Sequence, residues 1–478
     1  MLFPTVTFAL FFFIVLPTSW ILMPTRERWK IFMLAASYFF YGYWNWHFVF
    51  LLAVSTVVNQ LLARTIHATD VERRRRAVLT LTIVFNLGIL LYFKYADFFV
   101  SSSRDVLDTF GIDAGNSLVN IALPVGISFF TFQALSYVID VYRRDFEPGS
   151  LINFATYLSF FPHVVAGPIV RGSEFMPQID EPKDPRRIDA TRAFFLIFIG
   201  LFKKVVIANY LATEIVDQVF ASPGRHTPLE LLVGVYAYAV QIYADFSGYT
   251  DMAIGLALLL GFRFPLNFDS PYTATSIQDF WRRWHMTLSR WLRDYLYIPL
   301  GGNRRGDRAT YRNLMLTMIL GGLWHGAAWT FVIWGAIHGV AQSVEHWRRT
   351  VRERRGLPDP PDTAARRWTQ RIVTFNIVCL AWIFFRAESI QVAFDYLFRM
   401  LNPTEWFQGG SSLVTFGVLL AIFIGIAGQF VPRAFTARLM AGFSRLSPVA
   451  MGAVLGVVLM VINTLGPRGV APFIYFQF

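Results

Sequence analysis

Long apolar runs constrain this chain more than any other feature. A helix needs about 20 mostly apolar residues to cross the hydrocarbon core of a bilayer. Stretches that meet or approach that length recur from end to end: Leu2–Met23, Phe48–Ile66, Val78–Tyr92, Leu231–Phe246, Met315–Val344, Ile372–Phe385, Leu413–Val431 and Val449–Leu465. Only 15% of the 478 residues are charged, too few to cover the surface of a soluble domain of this size. The expected fold is all-α, a polytopic transmembrane helical protein of about ten to twelve membrane segments. The first run is expected to stay as a helix, because Met1-Leu2-Phe3-Pro4 has no basic region and no small-x-small cleavage site follows.

The formal net charge of +12 would suggest nucleic acid in a soluble protein. Here the basic residues fall in short connections between apolar runs: Arg26–Lys30, Arg73–Arg76, Arg304–Arg312 and Arg348–Arg355. That is the pattern of cytoplasmic loops, and it points to the lipid bilayer rather than to nucleic acid. The connections Ser101–Ser117, Thr213–Glu230 and Asn402–Gly410 carry mixed or acidic charge and are assigned to the outer side. Cys379 is the only cysteine, so neither an intrachain disulfide nor a cysteine metal cluster can form.

The chain reads as one domain, 1–478, with N-terminal helices over 1–117, a core over 118–345, a cytoplasmic loop over 346–371 and C-terminal helices over 372–478. The core mixes apolar runs with Pro124, Gly126, Pro162, Gly167, Pro168 and Gly248. Phe160–Val170 and Trp281–Leu300 read as re-entrant or broken segments. Irregular backbone at membrane depth survives only where protein buries it or where it lines a wet cavity. Function is therefore sought in the core.

Of the eight histidines, His325 stands out, set in Gly321-Gly322-Leu323-Trp324-His325-Gly326-Ala327-Ala328-Trp329 within an apolar run. An imidazole there is costly unless it faces a cavity or a partner, which makes it a functional candidate. Its small neighbours admit another backbone or a thin ligand; the plainer reading is a histidine bonding between packed helices. His338 follows thirteen residues later, about 220° around one continuous helix, so the two should not share a metal. His285 lies in Trp284-His285-Met286-Thr287-Leu288-Ser289, with Ser289 on the same helical face. This arginine- and tryptophan-rich stretch is either an interfacial helix or a segment that bends inward to meet His325.

Asp245 and Asp251, in the run Asp245-Phe246-Ser247-Gly248-Tyr249-Thr250-Asp251, read as buried groups shaping the cavity. Lys203 and Lys204 read as helix-end charges near the interface. Arg304 and Arg305, in Gly301-Gly302-Asn303-Arg304-Arg305-Gly306, would suit the phosphates of a nucleotide-like donor, and a cytoplasmic loop explains them equally well. There is no Gly-x-Ser-x-Gly elbow, no His-Glu-x-x-His and no Walker sequence, which counts against zinc hydrolysis and ATP-driven transport.

Trp284-His285 with Ser289, followed by Leu323-Trp324-His325-Gly326-Ala327-Ala328-Trp329, resembles the membrane-bound O-acyltransferase family. Leu123-Pro124-Val125-Gly126-Ile127-Ser128-Phe129-Phe130, Phe161-Pro162-His163, Gly167-Pro168-Ile169, Asp245-Phe246-Ser247-Gly248-Tyr249, Ala381-Trp382-Ile383-Phe384-Phe385-Arg386-Ala387 and Phe473-Ile474-Tyr475-Phe476 extend the resemblance over nearly the whole chain. They are similar to the branch that acetylates bacterial polysaccharides such as alginate.

The resemblance implies a central tunnel in a multi-pass protein of the bacterial inner membrane. It makes His325 and His285 the catalytic histidines, with Trp324, Trp329, Ser289, Asp245 and Ser247 as tunnel or supporting residues. It implies acetyl-CoA as the donor, no tightly bound cofactor and no metal. A periplasmic or cell-surface acetyltransferase would be the partner and an exopolysaccharide the final acceptor. The competing expectations are D-alanyl transfer to teichoic acids, a proton-coupled transporter or flippase, and a scaffold that recruits a surface enzyme.

Overall fold

The computed structural model describes residues 1–112, 121–181, 183–406, 410–466 and 473–474. Tyr475 and Phe476 of the terminal motif, residues 113–117 of one outer connection and 407–409 of another lie outside the described residues. Every regular element among the described residues is helical. They fall into two compact units, Met1–Ala193 with Ala253–Pro265, and Phe194–Met252 with Leu266–Phe478.

The number of membrane-crossing helices corrects the sequence expectation. Among the described residues five helices are long and apolar enough to span: His47–His67, Glu72–Thr109, Ala190–Ala221, Pro228–Leu259 and Ala364–Arg386. A sixth follows if Phe416–Phe430 and Arg433–Ser444, bent by 95°, count as one span. The expected ten to twelve segments are not found among the described residues, for two physical reasons. Some apolar runs form helices that are too short. Leu2–Met23 yields only Val6–Leu22, 17 residues or about 25 Å, against about 30 Å of hydrocarbon. Other runs are not one helix. Met315–Val344 breaks at Gly326–Ala328 into Asp307–His325 and Trp329–Arg354, whose outer ends carry arginine.

In the first unit, His47–His67, Glu72–Leu90 and Ile127–Arg143 pack together, and Arg26–Gly42 lies against Leu151–Ser159. Apolar contact alone does not hold helices together in lipid, so interhelical hydrogen bonds matter, at about 0.6–2 kcal/mol each. Asn59 and Asn86 exchange amide bonds at 3.2 and 2.7 Å. The Tyr137 hydroxyl donates to Gln60 Oε1 at 2.9 Å and accepts from the Gly149 N–H. His163 is fully buried here and donates Nε2–H to the Tyr157 carbonyl at 2.7 Å, a structural role among Phe175 and Phe264.

The centre of the second unit is the hairpin of Asp307–His325 and Trp329–Arg354. Its helices approach closely because glycine faces backbone on each side. A Cβ on Gly335 would lie 2.3 Å from the Met318 carbonyl oxygen, and one on Gly322 would lie 2.2 Å from that of Phe331. Ala364–Arg386 packs against the hairpin and contributes Phe385 and Trp382. The arginine groups read as loops prove to be helix ends, Arg26–Lys30 and Arg73–Arg76 opening helices and Arg348–Arg354 closing one.

Candidate functional site

His325 is the last residue of its helix and is 2% exposed. The turn that follows places Gly326 against Phe331, where any side chain would collide with the ring. Around His325 stand Trp324, Trp334 and Phe385, with ring centres at 5.0, 5.0 and 5.3 Å, all three edge-on.

His285 arrives from a break in the chain. The helix Ile277–Arg283 stops, Trp284 is extended, and His285 takes φ 41° and ψ 53° before Met286–Leu292 begins. A left-handed conformation costs a side-chain-bearing residue about 1–3 kcal/mol and persists only where its surroundings over-determine it. The segment around Asn267 does so. The Asn267 carbonyl accepts the Met286 N–H at 2.9 Å. Its side-chain oxygen accepts from the Thr287 N–H at 3.2 Å, the Thr287 hydroxyl at 2.8 Å and His285 Nδ1 at 3.1 Å. His285 is thus fully buried, edge-on to Phe246 at 4.7 Å, with its ring centre 6.3 Å from that of His325. Of the two sequence readings, the inward bend is the one found.

Ser289 does not share a helical face with His285, because His285 is the left-handed cap residue of Met286–Leu292 and lies outside the helical conformation. Its hydroxyl turns back to the Trp284 carbonyl at 3.4 Å. Trp329 opens the Trp329–Arg354 helix and is 52% exposed, whereas Trp324 is buried against both histidines. His338 belongs to a different helix from His325, so the rotation argument for separating them does not apply. Trp334 stands between them, and His338 Nδ1 accepts from Trp281 Nε1 at 3.3 Å.

Asp245 and Ser247 lie on the Pro228–Leu259 helix, flanking Phe246. Asp245 pairs with Lys204 at 2.9 Å, the two side chains 4% and 2% exposed, and accepts the Ile474 N–H at 3.1 Å. Lys203 pairs with Asp251 at 2.7 Å. Both lysines are therefore ion-pair partners and not interface charges. The Ser247 hydroxyl, His285 Nε2 and Trp334 Nε1 are buried with no hydrogen-bond partner among the described residues. Buried polar atoms are rarely left so, and those of His285 and of Trp334, which is edge-on to His325, suit a polar ligand. Among the described residues no cluster of three or more His, Cys, Asp or Glu is placed to hold a metal ion.

Arg304 and Arg305 sit on the exposed turn that leads into the Asp307–His325 helix. A cavity of about 350 Å³ is lined there by Arg293, Tyr297, Asn303, Arg304, His346 and Arg349. Arg305 is not part of its wall; its side chain folds back over Gly301. A larger cavity of about 1360 Å³ runs along the Trp329–Arg354 helix, apolar at Ile333, Ile337 and Val340 and basic at Arg348 and Arg352. The two cavities share Gln278, Glu345 and Arg349, and neither is lined by a histidine of the buried pair.

Sequence reasoning missed Asn267, Lys204 as a partner of Asp245, and the cavity arginines Arg293 and Arg349. Asn267 sits in Pro265-Leu266-Asn267-Phe268, a stretch without periodicity, and nothing local signals its reach to His285. For Lys204 the signal was present: one lysine and one aspartate, each in an apolar run, need each other.

These features define an all-α polytopic membrane protein with two buried histidines brought together from separate helices. The profile described as MBOAT, membrane-bound O-acyltransferase family, matches residues 34–389, and the chain belongs to that family. It is 43% identical over 403 residues to the probable alginate O-acetylase AlgI of Azotobacter vinelandii, covering 83% of this chain and 78% of that one. Against the probable alginate O-acetylase AlgI of Pseudomonas aeruginosa it is 44% identical over 386 residues, 80% of this chain and 71% of the other. The peptidoglycan O-acetyltransferase of Helicobacter pylori is 38% identical over 400 residues, 78% and 74% of the two chains. Family membership supports O-acyltransferase activity in general.

Proposed function

We propose that this protein takes an acetyl group from cytoplasmic acetyl-CoA and moves it across the bacterial inner membrane for O-acetylation of an exopolysaccharide such as alginate, through a partner acetyltransferase on the far side. The observation that carries the reading is the pair of buried imidazoles, His285 and His325, with ring centres 6.3 Å apart in a chain of this family. Similarity to two probable alginate O-acetylases supports the choice of polymer.

His325 acts as general base. It accepts the proton of an acceptor hydroxyl as that oxygen attacks the thioester carbonyl. The carbon–sulfur bond then breaks, and the departing thiolate takes up a proton. Such a base contributes about 10²–10⁴-fold. The aromatic walls of Trp324, Trp334 and Phe385 keep water from competing for the acyl group. Arg304, with Arg293 and Arg349, offers the phosphates of the donor a basic cavity on the cytoplasmic side. The test is release of free thiol from acetyl-CoA by the purified protein, with D-alanyl carrier protein as the competing donor. Consumption of the D-alanyl donor alone, or of neither, overturns the reading.

A further inference from the structure

We infer that Asn267 is a positioning residue that locks His285 as its Nδ1–H tautomer and so makes Nε2 a hydrogen-bond acceptor at the site. The inference rests on the function proposed above for what Nε2 does, but not for the tautomer itself. The Asn267 side-chain atom that faces His285 also faces the backbone N–H and the hydroxyl of Thr287. A backbone N–H can only donate, so that atom is the amide oxygen. An oxygen accepts, so His285 Nδ1 must carry the hydrogen. The lone pair of the neutral ring is then on Nε2, which is buried and has no partner among the described residues.

This arrangement gives the second histidine a definite role. A neutral His285 with its proton on Nδ1 has no N–H to offer an oxyanion at Nε2. It accepts instead, and the group it suits is an N–H or O–H donor of the bound ligand other than the acceptor hydroxyl, whose single proton passes to His325. The same asparagine stabilises the left-handed turn at His285 by taking the Met286 and Thr287 N–H groups, so ring orientation and tautomer are set together. The arrangement parallels metal-site and triad histidines, whose far nitrogen is fixed by a hydrogen bond from the near one.

The experiment is nitrogen-15 NMR of histidine-labelled protein near pH 8 in lipid, with the His285 resonances identified by their loss in His285→Gln. Asn267→Leu and Asn267→Asp are compared with wild type in the same samples and in acetyl transfer. The expected result is protonated Nδ1 and bare Nε2 in the wild type, and a mixed or reversed tautomer in Asn267→Leu with kcat lower by about 10²–10⁴-fold and KM for the donor little changed. Asn267→Asp still accepts all three bonds and is expected to keep the Nδ1–H tautomer while moving the pH profile upward, because a carboxylate favours the charged ring. A wild-type His285 protonated at Nε2 overturns the inference even if Asn267→Leu fails to fold. So does a folded Asn267→Leu with an unchanged tautomer. Wild-type protein that shows Nδ1–H but transfers no acetyl group overturns the proposed function and leaves the tautomer assignment standing.

Discussion

Replacing Lys204 with methionine should unfold much of the protein, and replacing Asp245 with asparagine in the same chain should restore it. The ion pair is 2.9 Å long and its side chains are 2% and 4% exposed. At an effective dielectric constant of about 20 the attraction is about 6 kcal/mol, which is offset by a desolvation penalty of several kcal/mol for each ion. The pair as a whole is therefore nearly neutral for stability. Removing Lys204 alone leaves a buried carboxylate, a loss of about 3–5 kcal/mol, or about 10²–10⁴ in the ratio of folded to unfolded protein. Asparagine at 245 removes that charge and keeps an oxygen for the Ile474 N–H. The assay is a double-mutant cycle on denaturant unfolding in detergent, with Lys204→Met, Asp245→Asn and the double variant. A coupling energy of at least about 2 kcal/mol is expected. Additive losses, or a Lys204→Met variant as stable as wild type, would refute the reasoning.

Gly335→Val should separate the two helices of the hairpin that carries His325, because a Cβ there meets the Met318 carbonyl at 2.3 Å. Thermal unfolding should show a loss of about 1–3 kcal/mol, with acyl transfer lost in what remains folded. Arg304→Ala should raise KM for acetyl-CoA about tenfold, equivalent to about 1.4 kcal/mol, with kcat nearly unchanged. Arg305→Ala, outside the cavity wall, should change neither, and steady-state kinetics on the pair checks both. Asn59→Leu should cost the first unit about 1–3 kcal/mol by leaving Asn86 Oδ1 without its donor, and Asn59→Leu with Asn86→Leu should recover part of it.

His325 was legible in the sequence because a polar ring in an apolar run is conspicuous, and His285 through the motif that resembles the family. Their proximity was not, since it depends on a left-handed turn at His285 and on Asn267, eighteen residues upstream in irregular chain. The all-α, polytopic character followed from composition, and the helix count did not. A hydropathy reading sees Met315–Val344 as one run and cannot see the chain reverse at Gly326–Ala328. It likewise treats Lys204 as a charge seeking water, when the structure gives it Asp245. Ser289 was placed on the face of His285 by helical spacing, and that spacing fails because His285 is a left-handed cap and not a helical residue.

The central claim, that His325 is the base for acyl transfer, is tested most directly by comparing wild type and His325→Ala in one assay. Both would be purified, reconstituted and given radiolabelled acetyl-CoA, with the partner acetyltransferase or an acceptor on the far side. Equal thermal stability of the two proteins would show that the variant is folded. The account predicts acetyl transfer in the wild type and a loss of about 10²–10⁴-fold in His325→Ala. A folded His325→Ala that transfers acetyl groups at the wild-type rate would contradict it.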